Sequence, residues 1–114
     1  MNASFIGSVT LATGQSSPFT GNWVNVTDAR NAMIVVFGSG VTSNITANIQ
    51  AKTSLFGDSI FNAGGAAEGV PIYSFSPVTN GYSSPAFLDS PVTQIRVVAT
   101  GGTGQLFAYA AIQN

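Results

Sequence analysis

Residues 45–53 read ITANIQAKT. Ile45, Ala47, Ile49 and Ala51 alternate with Thr46, Asn48, Gln50 and Lys52, apolar against polar at every step. A period of two belongs to a β-strand whose successive side chains point to opposite faces, one covered and one wet. Around this segment the pattern repeats in shorter pieces. SFIGSVTLA (4–12), NWVNVT (22–27), NAMIVVFG (31–38), VPIYSFS (70–76), AFLDS, PVTQIRVVATG (91–101) and QLFAYAAIQ (105–113) all have strand character. Between them lie the turn TGQSSPFTG, the loop SGVTSN and the long Gly- and Ala-rich excursion LFGDSIFNAGGAAEG. No helical period of 3.6 runs longer than a turn; DARNAM (28–33) comes nearest and is too short to stand alone.

Short strands with turn signals every 8–12 residues predict an all-β fold, an antiparallel β-sandwich of about 7–8 strands with jelly-roll-like character. A chain of 114 residues is one domain, 1–114, able to bury roughly 65% of its unfolded surface. NAMIVVFG and LFAYAA are apolar at both parities, which predicts strands covered on both sides. Gly101, Gly102 and Gly104 predict the positive-φ positions of a hairpin joining the last two strands, with 105–113 an interior strand. Asn80-Gly81 predicts a type I′ turn.

Charge is scarce. Only Asp28, Arg30, Lys52, Asp58, Glu68, Asp89 and Arg96 are ionic, 6% of the chain against about 25% in an ordinary soluble domain. With a net charge of −1 and no basic cluster, neither nucleic acid nor an anionic membrane is an expected partner. The N-terminal MNASFIGSVTLATG does not read as a signal peptide, and no apolar run approaches the ~18 residues of a membrane helix. An outer-membrane barrel would nearly exhaust the chain, which lacks regularly spaced aromatic girdles.

The chemistry-bearing residues are few. No histidine and no cysteine occur, which removes Ser-His-Asp and Cys-His catalysis, thiolate metal sites and disulfides. Four carboxylates stand in four different segments, where sandwich loops commonly use them as turn formers. GSG (38–40) and GGTG (101–104) lack the lysine and strand–helix context of a phosphate loop. The expectation is a protein without catalytic residues, metal or cofactor. Trp23, Tyr73, Tyr82 and Tyr109 could instead serve a sugar platform, a core or a subunit interface. Alternation sets Trp23 opposite Val24 and Val26; core or interface is the preferred reading. Arg96, isolated between Ile95 and Val97, is expected to pair with Asp89 or Asp28, or to bridge subunits.

In order, the chain shows WVNVTDARNAMIVVFG, then TANIQAKTS before a loop Asp, then IRVVATGGTG before a last strand LFAYAAI. This order resembles the small β-sandwich structural proteins of tailed-bacteriophage virions. The Gly expected after the loop Asp is absent, since Ser59 follows Asp58. The resemblance implies a non-enzymatic virion component, made in the host cytoplasm: a head decoration (cement) protein that forms a homotrimer and clamps the major capsid protein. It carries no site residues with it. Plausible contacts are MNASF and the loops 54–69 and 76–90, with Phe5, Phe56, Phe61, Tyr82 and Phe87, together with Arg96. The alternative is a glycan-binding jelly-roll module of a tail or fibre.

Overall fold

The structure, a computed structural model, describes residues 6–26, 31–52, 70–82, 85–88 and 93–113. Among these residues ten strands follow one another: β1 (Ile6–Ser16), β2 (Phe19–Thr20), β3 (Val24–Asn25), β4 (Asn31–Ser43), β5 (Ile45–Lys52), β6 (Val70–Val78), β7 (Gly81–Tyr82), β8 (Ala86–Leu88), β9 (Gln94–Thr100) and β10 (Thr103–Gln113). They form two antiparallel sheets. In the first the order is β1-β10-β4-β7, with β8 also on β4; in the second it is β2-β9-β5-β6, with β3 also on β9. The fold is the expected antiparallel β-sandwich. Its strand count exceeds 7–8 because two positions are broken: β2 and β3 share the edge of β9, and β7 and β8 share the edge of β4. Ten pieces therefore occupy eight positions.

The period-two segment behaves as its composition dictates. In β5 every odd residue is buried and every even one partly exposed, and β9 repeats the pattern with Ile95, Val97 and Ala99 inside. Opposite them the first sheet contributes Ala32, Ile34 and Val36 from β4 and Leu106, Ala108 and Ala110 from β10. Ile34, Ile45, Ile49, Ile95, Leu106, Val36, Val78 and Val97 are fully buried. Each such side chain contributes about 1.5–3 kcal/mol of transfer free energy. No polar or charged side chain is buried among the described residues, so the sheets are held together by a dry apolar seam.

β10 is an interior strand, as expected, paired to β1 on one side and to β4 on the other. Its connection to β9 is not the expected hairpin. β9 belongs to the second sheet and β10 to the first, so Gly101 and Gly102, with φ of 70° and 67°, turn an inter-sheet corner. A second corner lies under it at Asn44, where β4 of the first sheet passes into β5 of the second. A Cβ on Gly102 would meet the Asn44 carbonyl oxygen and come within 2.6 Å of Ser43 O. The glycine is needed for both its positive φ and its lack of a side chain. Periodicity is blind to this distinction, because a corner and a hairpin interrupt the pattern in the same way.

Two more expectations change at β4. SGVTSN does not loop out: β4 runs on to Ser43 and carries Gly40 at φ 64° as an irregularity within the strand. Asn80-Gly81 is not a type I′ turn, since Gly81 has φ 108° but Asn80 does not have a positive φ. Asn80 instead crosses between sheets and docks on that extension. The Val41 N–H donates to Asn80 Oδ1 at 2.9 Å, and Asn80 Nδ2 donates to Val41 O at 3.3 Å. The carboxamide thus pairs with β4 as a peptide group of a neighbouring strand would.

Candidate interaction surfaces

The expectation that NAMIVVFG and LFAYAA are covered on both faces is half met. Their inward residues are buried, whereas Met33, Val35, Phe37, Phe107 and Tyr109 project from the outer face of the first sheet and stay partly or fully exposed. Register brings these outward side chains together. Phe107 lies across from Phe37, Tyr109 from Val35 and Ala111 from Met33; Tyr82 lies across from Phe37, and Phe87 from Met33. Phe37 stacks on Phe107 at 4.9 Å and 3° between planes. Tyr82 tilts against Phe37 at 4.7 Å, and Tyr109 stacks at 6.1 Å. Aromatic pairs of this geometry contribute about 0.5–1.5 kcal/mol each. The centre of the patch is thereby ordered without a partner, while its rim remains open: Tyr82 is 74% exposed, Phe87 72% and Met33 40%. A groove of about 500 Å³ runs along it beside Met33, Phe87, Ala111 and Gln113. The described residues that line the groove carry no ionisable side chain.

The outer face of the second sheet is chemically different. It carries Thr46, Asn48, Gln50 and Lys52 of β5 beside Gln94, Arg96 and Val98 of β9. Thr46 and Ser76 share a hydroxyl hydrogen bond at 3.1 Å. Trp23, just before β3, lies on this face and not in the core, because the inward parity of its segment goes to Val24 and Val26. Two cations reach its ring: the Arg96 guanidinium carbon is 4.5 Å and Lys52 Nζ 4.6 Å from the ring centroid. At partly exposed sites each contact contributes about 0.5–1 kcal/mol. Arg96 Nε donates to Gln50 Oε1 at 2.8 Å. The partners expected for Arg96, Asp89 and Asp28, lie outside the described residues.

Of the six residues singled out from the sequence, Tyr82 and Phe87 fall on the first sheet's aromatic face and Arg96 on the second sheet's polar one. Phe5, Phe56 and Phe61 lie outside the described residues. The structure adds Met33, Phe37 and Phe107 to the first face, beside Tyr109, and Gln50 and Lys52 to the second, beside Trp23; the sequence had already named Tyr109 and Trp23 as interface candidates. Sequence parity already grouped Gln50 with Lys52; what it lacked was the register that sets Arg96 across from Gln50. No group of three His, Cys, Asp or Glu comes together among the described residues. All four carboxylates lie outside them, so the paired-carboxylate question is not addressed by this geometry.

No protein-family model matches the chain, and no curated protein matches it by sequence. Solved structures share its fold. The SPBc2 prophage-derived protein YomS superposes with a TM-score of 0.69 at 15% identity, covering 100% of this chain and 97% of that one. A chain from the structure of infectious bursal disease virus, Gx strain, gives a TM-score of 0.50 at 12% identity, covering 98% of this chain and 32% of that one. At these identities the likeness is one of fold: this chain is built like a small prophage protein over its whole length, and like one third of a larger viral chain.

Proposed function

We propose that this chain is a structural, non-enzymatic protein of a phage virion, a head decoration protein that works as a homotrimer clamping the capsid. The observation that carries the reading is the uncovered aromatic face on the first sheet. Taking about 200 Å² for a Phe or Tyr side chain, Tyr82 and Phe87 alone expose about 300 Å². With Met33, Val35, Phe37, Phe107 and Tyr109 the face presents about 500 Å², the upper range for a monomer's largest apolar patch and some two-thirds of the ~800 Å² each partner gives a standard interface. Among the described residues it bears no charge that would oppose a second copy. A chain with 6% ionic residues and a face of this kind is suited to burial among copies of itself.

Two further points support the reading. The strand order, with β1-β10-β4-β7/β8 facing β2/β3-β9-β5-β6, supports a jelly-roll reading, an arrangement of two Greek keys common in viral shells. The fold likeness spans a prophage protein end to end and part of a virus structure. The glycan-binding alternative loses Trp23 as an open stacking platform, since two cations sit over its ring.

The test is solution mass by light scattering, followed by sedimentation with purified heads that lack decoration. A trimer that co-sediments at saturating stoichiometry supports the proposal. A monomer at about 100 μM that stays in the supernatant ends it.

A further inference from the structure

We infer that Arg96, Lys52 and the Trp23 ring form a carboxylate-binding site on the outer face of the second sheet, the side that meets acidic residues of a protein partner. This rests on the decoration reading for the partner's identity, but the site itself stands on its own geometry. Lys52 and Arg96 are the two cations among the described residues, and both lie within 4.6 Å of one ring centroid. Their charges are therefore no more than about 9 Å apart, the sum of the two centroid distances. A chain with three basic residues in all has placed two around one ring, against their mutual repulsion.

The guanidinium is also held in a defined pose. Its Nε is committed to Gln50 Oε1 at 2.8 Å in a part-buried bond, and its central carbon lies over the indole. Neither restraint uses the pair of terminal nitrogens, whose four N–H donors form the remaining edge of the fork. That edge matches the two oxygens of a carboxylate in the bidentate pairing that arginine favours. Lys52 adds three rotatable donors at the same ring. Because the arginine is already ordered, an incoming carboxylate meets a smaller entropic cost than at a free surface arginine. The neighbouring side chains on this face, Gln94 and Asn48, are neutral amides suited to flank such a contact without competing for it. The site faces away from the aromatic patch, so one molecule can hold a second copy with one sheet and an acidic partner with the other.

The single tryptophan reports on the site directly. The intact chain is titrated with a short oligo-aspartate peptide, its oligo-asparagine counterpart serving as control, while Trp23 emission is followed at low and high salt. Oligo-aspartate is expected to give a saturable shift that oligo-asparagine does not, weakened about tenfold or more in Arg96→Gln and Lys52→Gln, and weakened again at high salt. Arg96→Lys, which keeps the charge and loses the fork, should also bind several-fold less tightly. Circular dichroism of each variant checks that the sandwich is retained. An equal response to both peptides, no response, or an undiminished response in folded Arg96→Gln overturns the inference. So does a tenfold gain in Asp28→Asn or Asp89→Asn, which would mean that the chain's own acid already fills the fork. Failure of the protein to bind heads, with this titration intact, would remove the decoration reading and leave the site standing.

Discussion

Replacing Gly102 with alanine separates an inter-sheet corner from a hairpin turn. Two costs combine at this position. With φ at 67°, any residue with a Cβ incurs about 1–2 kcal/mol for the left-handed conformation. The added Cβ would also stand against the Asn44 carbonyl and within 2.6 Å of Asn44 C and Ser43 O. These are backbone atoms of the underlying corner, and they cannot swing aside as a side-chain tip would. Relief requires lifting one corner off the other, which strains the neighbouring Thr103–Ser43 pairing of β10 with β4. Overpacking of this kind costs about 1–3 kcal/mol more, giving a total of about 2–5 kcal/mol. Gly40 is the control. It has nearly the same φ, 64°, and a Cβ there would have nothing within 4 Å, so Gly40→Ala should cost only the conformational term, about 1–2 kcal/mol. At about 4 °C per kcal/mol for a domain of this size, melting followed by circular dichroism should show losses of about 4–8 °C for Gly40→Ala and about 8–20 °C for Gly102→Ala. Equal losses in the two variants would refute the stacked-corner geometry and restore an open turn at 101–102.

Other positions give expectations of different kinds. Ile49→Ala, at a fully buried centre of β5, should lower unfolding free energy by about 2–5 kcal/mol and Ile49→Val by about 0.5–1.5 kcal/mol, read from denaturant midpoints. Asn80→Asp keeps the acceptor for the Val41 N–H but sets a carboxylate oxygen against Val41 O, where Asn80 Nδ2 donates. It should destabilise by about 1 kcal/mol at neutral pH, and an unchanged midpoint would mean the carboxamide bridge is not formed in solution. The double change Phe37→Ser and Tyr109→Ser removes two outward rings and no buried one. It should lower the mass seen by light scattering while leaving Trp23 emission unchanged, because Trp23 lies on the opposite face; a full-mass assembly would place the subunit contact elsewhere.

The sequence by itself determined that this protein is a two-layer β structure. Alternation in 45–53 and 94–99 comes from which side chains can be dehydrated, and that is a local property which survives without knowing any strand's neighbour. The same alternation assigned Gln50 and Lys52 to one face and set Trp23 opposite Val24 and Val26. What it could not carry was pairing. Whether Gly101 and Gly102 close a hairpin or turn a corner depends on which sheet each flanking strand joins, and both outcomes call for glycines. Whether Phe37, Phe107 and Tyr109 are core or surface depends on what lies over the outer side of β4 and β10, because an apolar residue is compatible with either place. The meeting of Trp23, Lys52 and Arg96 likewise needed register between β5 and β9 and the edge position of β3. These are long-range facts of topology, fixed by how the two sheets close on a shared apolar seam, and only the tertiary structure decided them.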